Sequence, residues 1–184
     1  VSFETTIFFT RHAEGGDNMR VPTDLGGHTV FGISERAHPK DDPRYAAFWE
    51  APTWGGAVKI YFDDYWVPNC VDDLPEHYQA VHFDCLVNHN PVDAVRILQR
   101  GLGGLDDDGI LGERTLGKAW EDPTRVDEIL GERSALYLDI VQRRPGQRAN
   151  WRGWLRRSFR LALYATGIRH GIPIHPSGEM STYD

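Results

Sequence analysis

Helix punctuation is the feature that most narrows what this chain can fold into. Asp42-Pro43 and Asp122-Pro123 each place a capping carboxylate ahead of a proline suited to a first helical position. Thr53 is a further capping residue, and Pro68-Asn69 is a break. Between Pro75 and Asn88, residues Val81, Cys85 and Asn88 fall on one helical stripe, with Leu74, Tyr78 and Leu86 close by. Val92 to Leu102 carries Val95, Leu98 and Leu102 at spacings of three and four, then stops at Gly103-Gly104. The same signals predict helices over 3–13 with Ser2 as cap, over 44–49, and from Thr53 through Trp66. They also predict helices near 114–120, from Asp122 to about Val141, and over 148–166 closed by Gly167. Only the glycine-rich stretch 15–32 has room for strands, in a small irregular β-hairpin near the N-terminus. The fold class expected is mainly α, a two-lobed helical fold. Residues 1–85 form the first lobe, 86–172 a second helical lobe packed on it, and 173–184 a loose tail.

With 184 residues and 40% apolar content, the chain can bury a sizeable core. No apolar run approaches the ~20 residues that span a bilayer. The opening VSFETTIFFTRHAEGG lacks a basic n-region and a small-residue cleavage site. The expectation is therefore synthesis in a cytoplasm without a signal peptide. Cys70 and Cys85 sit in no CxxC or Cys/His spacing, so two reduced, mostly buried thiols are expected. The aspartates of Leu105–Gly109 lack the terminal glutamate of a calcium loop and read as a tight Asp-Gly turn. No metal or cofactor is expected.

The net charge of −7 is unevenly spread. Residues 141–170 hold eight arginines and no acid, leaving 12 basic against 27 acidic residues elsewhere. Arg148, Arg152, Arg156 and Arg160 recur one helical turn apart, opposite an apolar stripe of Trp151, Leu155, Phe159 and Ala162. Two readings stand. One is a solvated face paired with acids elsewhere. The other is attraction to an anionic wall polymer or lipid. The acidic remainder and the lack of a recognition motif argue against nucleic acid. A monomer is expected.

The chemistry concentrates at the front. Glu14 follows the first predicted helix, where the helix dipole disfavours a carboxylate and so favours a protonated one. Such a carboxyl suits a general acid. Asp24 lies ten residues on and Thr29 five further, with Gly26-Gly27 between them to let backbone approach a bulky ligand. Two carboxyls and a water-holding hydroxyl are the equipment of glycoside hydrolysis. Each residue also has a plain alternative: Glu14 as an exposed helix-end glutamate, Asp24 as an Asx-turn residue, Thr29 as a strand residue. Gly27, His28 and Asn88 are candidate substrate contacts. Asn88 alternatively bonds backbone at its helix end, and Gln99 has a structural reading of the same kind. Neither His12, His28 nor His89 comes with a serine or cysteine partner pattern. Most of the six tryptophans are expected in the core.

The ordered blocks Glu14-Gly15-Gly16, Asp24-x-Gly26-Gly27-x-Thr29 and Gly32-Ile33 resemble the signature of glycoside hydrolase family 108, the bacterial and phage N-acetylmuramidases of lysozyme type. Tyr65-Trp66, Phe83-Asp84-x-x-Val87-Asn88 and Ala94-x-x-x-Leu98-Gln99 resemble the segments that follow in that family. Asp108-Gly109-x-x-Gly112-x-x-Thr115 and Trp151-x-Gly153-Trp154-Leu155-x-Arg157 resemble its C-terminal, peptidoglycan-binding region. The resemblance implies an α+β lysozyme-like fold and hydrolysis of the β-1,4 bond between N-acetylmuramic acid and N-acetylglucosamine. It implies Glu14 as catalytic acid, with Asp24 and Thr29 completing the site and peptidoglycan glycan strands as partner. This chain carries one residue more than the family's usual spacing between Glu14 and Asp24, which keeps Asp17 as the alternative second carboxyl. A phage endolysin, released through a holin or carried in a virion, is the expected setting. A non-catalytic wall-binding or virion protein and a chitin-directed glycosidase are the alternatives.

Overall fold

A computed structural model of the chain describes residues 3–13 and 28–171. It is mainly α. Helix α1 (Phe3–Ala13) precedes a two-stranded antiparallel hairpin, β1 (Thr29–Val30) and β2 (Ile33–Ser34), in which Val30 pairs with Ile33. Then come α2 (Pro43–Glu50), α3 (Trp54–Ile60), α4 (Glu76–Asn88), α5 (Pro91–Leu102), α6 (Glu113–Glu121), α7 (Val126–Arg143) and α8 (Trp151–His170).

Of the expected caps, Asp42 and Thr53 are in place. Asp42 accepts a hydrogen bond from the Arg44 backbone N–H at 3.0 Å, and the Thr53 hydroxyl accepts from the Gly56 N–H at 3.1 Å. Asn90 does the same for Asp93 at 2.9 Å, ahead of Pro91 at a first-turn position. Helix α3 runs without a break into a π-helical turn, Tyr61–Trp66.

Helix α4 is the axis of the molecule. It packs against α1, α5, α7 and α8, and residues 77–86 are all buried. A helix covered on every side has no polar face, so its single-stripe reading gives only part of the pattern. Asn88, placed on that stripe, is exposed. Helices α5 and α7 pack tightly at Gly101, where an added Cβ would lie 2.4 Å from the Ile129 Cα. Helix α1 is fastened to α8: Tyr164 donates its hydroxyl to the Thr5 carbonyl at 2.6 Å, and its ring lies 5.3 Å from that of Phe9.

Five expectations are corrected. Helix α7 begins at Val126 rather than at Asp122-Pro123. Asp122 instead closes a turn, accepting from the Thr124 backbone at 3.1 Å and hydroxyl at 2.6 Å, while its own carbonyl accepts from Tyr78 at 2.5 Å. At the far end, Pro145–Asn150 form a 3₁₀ turn, so Arg148 precedes α8 rather than lying on it. Gly167 is a buried residue inside α8, and the helix is closed four residues later by Gly171 in the left-handed region at φ +64°. The inward face of α8 is Ser158, Leu161, Tyr164 and Ala165, whereas Phe159 is 67% exposed. Finally, Cys70 is exposed, at φ +50°, and only Cys85 is buried; both are free thiols.

The Asp-Gly turn is confirmed, and Gln99 organises it. Its side-chain amide donates to Asp108 Oδ1 at 2.8 Å and to Thr115 Oγ1 at 3.1 Å, and its Oε1 accepts from the Gly109 N–H at 3.0 Å. Gly109 has φ +78°, which a side chain would strain. Among the described residues no cluster of His, Cys, Asp and Glu is arranged to hold a metal ion. Trp66 is fully buried, while Trp120 is 62% exposed, so the tryptophans are less uniformly core residues than expected.

Candidate active site

Glu14, Asp17, Asp24 and Gly27 lie outside the described residues. What can be built is the frame on either side of them. Upstream, Ala13 ends α1 and lines a cavity of about 300 Å³ between α1 and α8. Downstream stands the hairpin carrying Thr29.

The hairpin turns through Phe31 and Gly32, both at positive φ (51° and 79°), as a two-residue hairpin loop requires. Phe31 in that region is strained, and its carbonyl is held by the Tyr61 hydroxyl at 3.1 Å. Val30 and Ile33 are buried beneath it. The π-helical turn supplies the rest of the support. Asp64 accepts from the Tyr45 hydroxyl at 2.6 Å and lies 3.6 Å from His38 Nε2. His38 Nδ1 in turn contacts the Ser34 carbonyl at 3.2 Å, and Trp49 donates to the His38 carbonyl at 2.7 Å. Burial lowers the pKa of His38, partly offset by the Ser34 carbonyl and Asp64. Burial and the Asp64 carboxylate push the Tyr45 hydroxyl up to about 12. This network fixes β2 on the body of the protein. Tyr61, Asp64 and Tyr65 all serve the hairpin region from this turn.

On this support, the Thr29 hydroxyl is buried and has no hydrogen-bond partner among the described residues. A buried hydroxyl left open in this way is suited to holding a water or substrate oxygen. His28, half-buried, lies with its ring 5.5 Å from Trp49 and its Nδ1 3.6 Å from Glu35. Lys40 completes the patch, 3.0 Å from Glu35 and over the Trp49 ring.

Asn88 is elsewhere. Its amide donates to the Asp84 carbonyl at 2.7 Å, the backbone role weighed for it, and it borders a pocket of about 180 Å³ with His89, Tyr137, Arg144 and Trp154. Tyr137 and Trp154 stack there at 4.8 Å. Burial and the nearby Arg133 lower the His89 pKa to about 3, so its imidazole is neutral.

Next to Asn88 lies an ion cluster that no local sequence pattern reveals. Asp84, 1% exposed in its side chain, is clasped by Arg157 through Nε at 3.0 Å and Nη2 at 2.7 Å, and by Arg133 Nη1 at 2.7 Å. Burial works against charge on Asp84, but the two guanidiniums outweigh it and hold the carboxyl below the usual range. Burial also works against Arg133, and Asp84 keeps it charged. The cluster ties α4 to α7 and α8. Positions 84, 133 and 157 share no local pattern, so the sequence offered no signal for it.

Comparison with known proteins places this frame. Residues 7–89 match the Glycosyl hydrolase 108 family model, and residues 93–159 match a model described as Predicted Peptidoglycan domain. Together they take in most of the chain. Among solved structures, that of Brucella abortus SagA is similar, with a TM-score of 0.73 and 26% identity, over 90% of this chain and 94% of that one. No curated protein matches. The fold and these matches define a glycoside hydrolase acting on peptidoglycan. The likeness to glycosyl hydrolase 108 lies in the first half of the chain, over residues 7–89.

Proposed function

We propose that this enzyme cleaves the β-1,4 bond between N-acetylmuramic acid and N-acetylglucosamine. Glu14 protonates the leaving oxygen. Asp24, with Asp17 as its alternative, stabilises the positive charge building at the anomeric carbon or activates water, and Thr29 holds that water. The observation that carries the reading is that the Glu14–Thr29 block falls inside the family match over residues 7–89. The open, buried hydroxyl of Thr29 supports it. His28 and Gly27 fall to the substrate wall in this scheme. A held water beside the second carboxyl favours inversion at the anomeric carbon.

The test is digestion of purified peptidoglycan with mass spectrometry of the fragments, which identifies both the bond cut and the new end. Glu14→Gln is expected to lower turnover by at least about a hundredfold with folding intact, in line with loss of a general acid. Asp24→Asn should cost less. Full lytic activity in Glu14→Gln would overturn the assignment, and an unaffected Asp24→Asn would move the second carboxyl to Asp17.

A further inference from the structure

The cavity at the end of α1 has a one-sided character. Its basic lining is His12, Arg156, Arg157 and Arg160, and its described lining contains no acid. Arg157 turns inward to Asp84. Arg156 and Arg160 are exposed, one helical turn apart, and neither forms an ion pair among the described residues. Gly153 forms part of the lining, and a Cβ added there would meet nothing within 4 Å, so the space above it is open.

Position gives this chemistry a purpose. Ala13 lines the cavity, and the next residue in the chain is Glu14. The lining also joins the two matched regions: Phe9, His12 and Ala13 come from the first, and Gly153, Arg156 and Arg157 from the second. Peptidoglycan differs from chitin by a lactyl ether on alternate sugars, which carries the stem peptide as an amide; its carboxylates are those of the stem or, on residues without a stem, that of the lactyl group. Chitin is neutral. Arginine is the side chain best shaped to hold a carboxylate.

We propose that Arg156 and Arg160 form a carboxylate-binding subsite that selects acidic, muramyl-bearing glycan over neutral glycan. The proposal rests on the Glu14 reading for its place beside the cleaved bond, but its binding arm does not require turnover. An anion there also faces the electronegative C-terminal end of α1, so the arginines must supply the attraction.

The experiment compares wild type, Arg156→Gln/Arg160→Gln, and Arg152→Gln, which lies on the same helix outside the cavity. The substrate is peptidoglycan stripped of attached phosphate polymers. The double variant is expected to lose at least about tenfold in kcat/KM, chiefly through KM, and to lose the salt sensitivity of the wild type. Its melting temperature should be unchanged. The same substitutions in a Glu14→Gln background should weaken cosedimentation with that peptidoglycan and leave retention on chitin unaltered. Peptidoglycan with stems removed by an amidase separates the sources. Amidase treatment removes the stem carboxylates and frees a lactyl carboxylate in their place, so lost dependence on the arginines assigns the stem and retained dependence shows that the subsite accepts the lactyl carboxylate; either supports the subsite. Equal binding and activity in the double variant would overturn it. So would an equal loss in Arg152→Gln, a loss seen only on walls that keep their phosphate polymers, or a loss matched by a fall in melting temperature. A wild type that releases no muramyl ends would sink the functional reading alone, because cosedimentation still decides the subsite.

Discussion

Asp84 has no water to fall back on. Removing one of its two guanidiniums leaves charge uncompensated in the interior, which typically costs about 3–5 kcal/mol. Arg133→Met should therefore destabilise the protein by that amount in urea unfolding, far more than truncation of any exposed arginine. His82 makes the opposite kind of demand. It is fully buried, neither ring nitrogen has a hydrogen-bond partner among the described residues, and burial lowers its pKa to about 4. The unfolded chain takes up a proton near the ordinary imidazole value of 6.5, and the folded chain does not until about 4. Between those values stability falls as pH falls, by about 1.4 kcal/mol per pH unit for this group, and the loss levels off below. His82→Leu should flatten that acid slope in melts from pH 7 to pH 4, while keeping stability at pH 7. Residues of this kind were not legible in the sequence. A buried histidine and a surface one are written alike, and the Asp84 cluster joins positions 84, 133 and 157 that no local pattern connects. The Glu14–Thr29 block was legible because its glycines and polar groups lie within one short stretch.

Helices with chemical signals at their ends were read well. Asp42 and Thr53 cap with side-chain oxygens, and Gly103 leaves α5 at φ +70°. The misreadings occurred where a local signal competed with packing. Asp122 has the form of a cap but spends its oxygens on Thr124 and Arg125, delaying α7. Gly167 has the form of a stop, yet Ile168 beyond it packs on the core and carries the helix onward. Another feature of element packing, the contact of α5 with α7, depends on one missing side chain. Gly101→Ala must either displace Ile129 or part the two helices. The expected cost is about 1–3 kcal/mol, the usual range for overpacking, despite alanine's better helix propensity. Denaturant unfolding checks this, and a neutral result would mean that α7 has room to give.

Over the whole molecule, charge and topology are arranged together. The arginines of residues 141–170 gather on the last helix and its approach, set against an acidic remainder. That helix lies on α1 and α4, so the basic end of the sequence is brought against its beginning. The hydroxyl of Tyr164 on the Thr5 carbonyl is the visible stitch. Contacts of α8 with α1 and α4 thus bridge the sequence midpoint. If the backbone were severed at His89 and the two pieces expressed together, they should reassociate into one particle that elutes as the uncut chain does. Either piece made alone should be insoluble or unfolded by circular dichroism, because α4 would lose α5, α7 and α8 in the one case, and those helices would lose α4 in the other.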